Sequence, residues 1–140
     1  MATNISFPGG TAGPLALISS AQNLTGSWAD LGDELDVEGV RTIGLYLTLD
    51  INDSLNARVR LVALHTSGGT EHVMPIRTVN ASDLTVEDEY VEFTDDADQS
   101  IMLPFEIYAV CPCVKFQVQA GTAGVSPGQI DAASVVTGHY

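Results

Sequence analysis

The chain has 140 residues, five of them Lys or Arg and eighteen Asp or Glu, for a formal charge of -13. That length is one ordinary domain, able to bury roughly 68 to 70% of its unfolded surface, and 45% apolar residues supply a core without a disulfide framework. The shortage of bases argues against a phosphate-tracking nucleic-acid binder and against attachment to an anionic membrane.

Residues Met1 to Pro14 hold three Gly, two Pro and few apolar side chains. This composition predicts an extended N-terminal arm, with residues 15 to 140 forming a single domain. Fully extended, the arm reaches on the order of 45 to 50 Å, far enough to touch a neighbouring subunit through residues such as Phe7 and Pro8. Folding back onto its own domain is the alternative. The start lacks a basic region and an apolar run, so no secretory signal is expected, and no window has the 18 apolar residues of a membrane span.

From Leu15 onward the chain reads as strands. Leu15 to Ser20 is the first candidate, and Ile43, Leu45, Leu47 and Leu49 form an inward row that ends at the turn signal Asp50 to Ser54. Ala57 to His65, Glu71 to Thr78, Glu89 to Thr94 and Ile101 to Val110 follow, separated by Gly, Asn, Asp and Ser clusters. Val114, Phe116 and Val118 alternate with Lys115, Gln117 and Gln119, the pattern of a half-buried strand, and Ala133 to Thr137 closes the series. Helix is limited to one turn near Ser82 to Glu87. The expected fold is therefore all-β: a two-sheet antiparallel β-sandwich, jelly-roll-like, of about eight strands. Jelly-roll and immunoglobulin-like strand orders both fit this spacing.

One hairpin has a readable register. With Gly68 and Gly69 at the centre of a two-residue turn, Thr66 faces Glu71, His65 faces His72 and Leu64 faces Val73. Pro75 and Pro104 cannot donate to a ladder, which places them at edges or bulges.

The candidate chemistry is thin. Gly124-Val125-Ser126-Pro127-Gly128 spells a nucleophile elbow, but Pro127 has no N-H to give the oxyanion hole. Cys111-Pro112-Cys113 lacks the further ligands and the spacing of a zinc site and reads as two free thiols. His65 and His72 would need a third ligand to hold a cation. The loops Asp50-x-Asn52-x-Ser54 and Asp96-x-Asp98-x-Ser100 lack the glycine and the glutamate of an EF-hand, leaving only an irregular calcium site at Asp95, Asp96 and Asp98 to consider. No catalytic residue, no metal site and no cofactor is expected.

Charge is more informative. Eight acids lie between Asp83 and Asp98 with no base among them. Arg41, Arg58, Arg60 and Arg77 precede that stretch, and Arg58 and Arg60 share one strand face, where they can pair with carboxylates of this chain or of a neighbour. Arg58, Arg60, Asp95, Asp96 and Asp98 join Phe7 and Pro8 as the expected partner-binding residues.

The run Ile18 to Gly32, the strand and turn Leu45 to Asp53, the ending Phe116 to Gly124, Ile130-Asp131 and the final Tyr140 resemble small virion structural proteins of tailed bacteriophages. The resemblance covers roughly residues 15 to 140. It implies a β-sandwich or jelly-roll protein of the capsid surface or its appendages, a homo-oligomer bound to the major capsid protein or other virion proteins, with no enzymatic activity. The expected location is the virion, assembled in the host cytoplasm, with neither nucleic acid nor membrane as partner. The alternative is a carbohydrate-binding sandwich module using Trp28, Tyr46, Tyr90 and Tyr108, although Trp28 reads more simply as an inward packing anchor.

Overall fold

A computed structural model describes residues 15–37, 40–50, 57–74, 76–78, 86–93, 99–107, 112–120 and 128–138. These form two packed antiparallel sheets and no helix. In chain order the strands are β1 (Leu15–Ala16), β2 (Gln22–Asn23), β3 (Ala29–Asp36), β4 (Thr42–Asp50), β5 (Ala57–Leu64), β6 (Glu71–Met74), β7 (Ile76–Thr78), β8 (Val86–Asp88), β9 (Val91–Phe93), β10 (Gln99–Glu106), β11 (Cys113–Ala120) and β12 (Gln129–Gly138). The first sheet runs β1-β12-β4-β10 with β2 also on β12; the second runs β3-β11-β5-β6 with β9 also on β5; β7 and β8 form a separate ladder.

Taking β1 with β2 and β6 with β9 as two broken strands leaves eight successive positions. The first sheet then has the order 1-8-3-6 and the second 2-7-4-5, which is the jelly roll and excludes the immunoglobulin order. The breaks account for ten strands in the two sheets where the spacing suggests about eight.

Strand faces follow the apolar alternation. Ile43, Leu45, Leu47 and Leu49 of β4 are buried, as are Val114, Phe116 and Val118 of β11, and both rows belong to one core. The sheets meet at Phe105 of β10 and Phe116 of β11, packed edge to face with centroids 5.1 Å apart. Pro104 is exposed on β10, whose one ladder partner among the described residues is β4, so this proline occupies the expected edge position.

Strand β3 was not among the expected strands. Leu31 and Leu35 are both fully buried, and Leu31 pairs with Phe116 and Leu35 with Val114, so the three residues Gly32, Asp33 and Glu34 together face the single residue Lys115. Gly32 makes this bulge with φ +76°, and a bulge of this kind hides the period-two signal.

The β5–β6 hairpin forms, but its register differs from the expected one. Leu64 pairs with Glu71 and Ala63 with His72, so His65 stands in the loop and the two imidazoles do not face each other. The cause is a turn earlier than assumed: Gly69 N-H donates to Thr66 C=O at 2.9 Å, with Gly68 at φ +72° as third residue. The buried Glu34 carboxylate holds this turn, accepting from Gly68 N-H at 2.8 Å and Ser67 Oγ at 2.7 Å.

The arm with Phe7 and Pro8, the residues Pro75, Asp95, Asp96, Asp98, Tyr108 and Cys111, and Gly124 to Pro127 lie outside the described residues. So does most of the helical turn expected at Ser82 to Glu87, whose end from Val86 is strand β8.

Candidate functional site

The outward faces of the two sheets differ in chemistry. On the second sheet, alternation along β5 points Arg58 and Arg60 away from the core, beside Gln117 and Gln119 of β11. Arg58 donates from Nε to Glu92 Oε2 at 2.6 Å and lies 4.7 Å from the Tyr90 ring centroid. Arg60 donates from Nε to Gln117 Oε1 at 2.8 Å and lies 4.2 Å over the Trp28 ring. The two rings tilt against each other with centroids 6.1 Å apart. Trp28 is thus half-buried on this outer face and no member of the core, a correction to its reading as an inward anchor. Its indole packs where a guanidinium can cover it, which a planar cation favours.

Deeper on the same face, Lys115 and Gln117 are buried although their alternation points them outward. Lys115 Nζ donates to Asp30 Oδ2 at 3.1 Å and to Glu71 Oε1, and Gln117 Nε2 donates to Asp30 Oδ1 at 2.9 Å and Glu71 Oε2 at 3.2 Å. Burial lowers the Lys115 pKa, but the hydrogen bonds and charges of Glu71 and Asp30 outweigh it and hold the ammonium above the ordinary lysine value. A raised lysine pKa stabilises the fold fully below the unfolded value, about 10.4, and loses that contribution as pH rises through the folded value. Lys115→Met is therefore expected to cost about 1 kcal/mol at pH 7, small because both carboxylates are half exposed. The difference between the variant and the parent shrinks above pH 10.5, as thermal midpoints measured from pH 7 to 12 would show.

Cys113 is buried beside this network. Burial, then the charges of Glu34 and Asp36, push its thiol up, so it stays protonated and unreactive at neutral pH. Among the described residues no group of three His, Cys, Asp or Glu side chains converges as a metal site would require.

The first sheet presents a groove of about 660 Å³ across β1, β4 and β12. Small side chains at Ala16, Ala132 and Ser134 open it, and Tyr46, 44% exposed, forms one wall. A bulge in β12 contributes the polar rim. Ile130 pairs with Leu49 and Ala132 with Thr48, so Asp131 is the extra residue and both Asp131 and Ala132 reach the groove. Gln129 Nε2 donates to Asp131 Oδ1 at 2.5 Å and orients that carboxylate. Alternation along β4 marks Tyr46 as outward, but Asp131 reaches the same groove only because β12 slips.

Of the expected partner-binding residues, Arg58 and Arg60 are therefore brought together, on a face whose nearest partners belong to this chain. Tyr46 lies on the opposite sheet, away from Trp28 and Tyr90, and among the described residues no other ring stacks on it.

No protein-family profile matches the chain, and no curated protein matches it in sequence. Among solved structures it is similar to a carbohydrate-binding module from lichenase 5A of Cellvibrio mixtus, in complex with cellotriose. The identity is 8% over 94% of this chain and 89% of that one, with a TM-score of 0.45. A likeness at that level carries nothing about ligand.

Proposed function

We propose that the chain is a non-enzymatic virion structural protein of a tailed bacteriophage. In this reading it is a capsid decoration or cement protein, a homo-oligomer that binds the major capsid protein or other virion proteins through sheet-edge and N-terminal-arm contacts. The observation that supports it most is β10, eight residues long at the margin of the first sheet and paired on one side among the described residues. A strand of that length offers its other side to a second chain, and five Lys and Arg leave few gatekeepers against such pairing. Pro104 limits the number of bonds such a partner can make and so sets its register.

Phe7 and Pro8 on the arm, with Asp95, Asp96 and Asp98 on the acidic stretch, are the remaining contact residues of this reading. Arg58 and Arg60 serve it indirectly, by holding Glu92 and Gln117 in place on the outer face. The experiment is co-sedimentation of the purified chain with capsid particles, intact and lacking residues 1 to 14. The intact chain is expected to pellet at a fixed stoichiometry and the truncated chain to stay in the supernatant. Failure of the intact chain to bind particles would remove the proposal.

A further inference from the structure

The geometry points to the β1–β4–β12 groove as a binding site for a neutral oligosaccharide, with Tyr46 as the stacking platform and Asp131 as the hydroxyl acceptor. This site is independent of the particle contacts proposed above, which lie at the sheet edge and on the arm.

A pyranose presents an apolar C-H face ringed by hydroxyls, so its receptor needs an open aromatic face with acceptors and donors at its margin. Trp28 and Tyr90 do not suit this role, since guanidiniums lie over both rings. Tyr46 differs: it is exposed, and among the described residues no cation or second ring is stacked on it. Beside it Thr48 and Ser134 supply hydroxyls, and the β12 bulge adds the Asp131 carboxylate, already oriented by Gln129. The groove volume, about 660 Å³, falls within the range of small-ligand sites.

Charge narrows the ligand further. Among the described residues the groove lining contains no base and one carboxylate, in a chain of net charge -13. Phosphorylated, sulfated and uronic-acid ligands are therefore repelled, and a neutral hexose chain is the class that fits.

The test is a glycan array of neutral and acidic oligosaccharides probed with the full chain, followed by titration of the best neutral glycan observed by amide NMR. Shifts are expected at Ala16, Tyr46, Asp131 and Ser134. Tyr46→Ala is expected to weaken binding at least about tenfold, and Asp131→Ala to a similar degree, while Trp28→Ala leaves it unchanged. Tyr46 is exposed, so the variant should keep its thermal midpoint and its particle co-sedimentation, which separates loss of this site from loss of the structural role. No glycan above background would overturn the assignment. So would preferred binding of acidic glycans, binding indifferent to Tyr46→Ala, or a concentration-dependent dimer that Tyr46→Ala dissolves, which would make the groove a self-association face.

Discussion

Phe116→Ala is expected to lower stability by about 4 kcal/mol, the largest effect of any single truncation in this core. Phe116 is fully buried at the centre of β11, with Leu61 of β5 on one side and Leu31 of β3 on the other. Its ring also makes the edge-to-face contact with Phe105 that joins the two sheets. Removing it takes away the transfer free energy of a large apolar side chain and an aromatic pair. It also leaves a cavity that paired strands on both sides cannot collapse to fill. For a domain of this size the thermal midpoint should fall by about 10 °C or more. Denaturant unfolding with an unchanged slope would confirm that native stability, and not the unfolded state, has changed. A loss under about 1 kcal/mol would mean that the sheets do not meet at this residue.

Gly32→Ala is expected to cost about 3 kcal/mol, for two reasons that a second variant separates. Gly32 has φ +76°, where an L side chain is strained by roughly 1 to 2 kcal/mol. A Cβ there would also lie 2.5 Å from the Leu17 carbonyl oxygen and 2.9 Å from Leu17 Cβ. Neither neighbour can yield easily, since Leu17 is buried and its N-H is bonded to Ala133 C=O at 2.9 Å. Gly68 has nearly the same backbone angle, φ +72°, with nothing within 4 Å of an added Cβ. Gly68→Ala should therefore show the conformational cost alone, about 1 kcal/mol. Equal losses at the two positions would show that the close approach of Leu17 to β3 is not a constraint on the fold.

The two glycines also mark where reading the sequence stopped short. Gly68 is visible as a hairpin signal, and the hairpin is there. Its register depends on a carboxylate from a distant strand, because Glu34 holds Ser67 and the Gly68 N-H. Gly32 gives no such local signal, since Leu31, Asp33 and Leu35 would share a face in a regular strand and the bulge turns Asp33 out to an exposed position, which interrupts the apolar row. The pairing of β3 with β11, 77 to 89 residues later, forms that strand against its own pattern.

The candidate groove was legible in the same partial way. The alternation of β4 places Tyr46 opposite Leu45 and Leu47, outside the core. The sequence does not tell that β12 lies beside it, or that a one-residue slip turns Asp131 to the same side. Nor does it tell that Arg60 comes to lie over Trp28, since the pair is joined only when β5 and β3 flank β11.

What the chain determined by itself is the fold class and the two faces of its regular strands. Side chains at i and i+2 share a face whatever the strand's neighbours, so alternation is a local property. The jelly-roll order, the hairpin register, the outward Trp28 and the burial of Lys115 and Gln117 were decided by the tertiary structure. Each depends on which distant strand supplies the next ladder, and a polar side chain is buried only where such a neighbour brings it a partner.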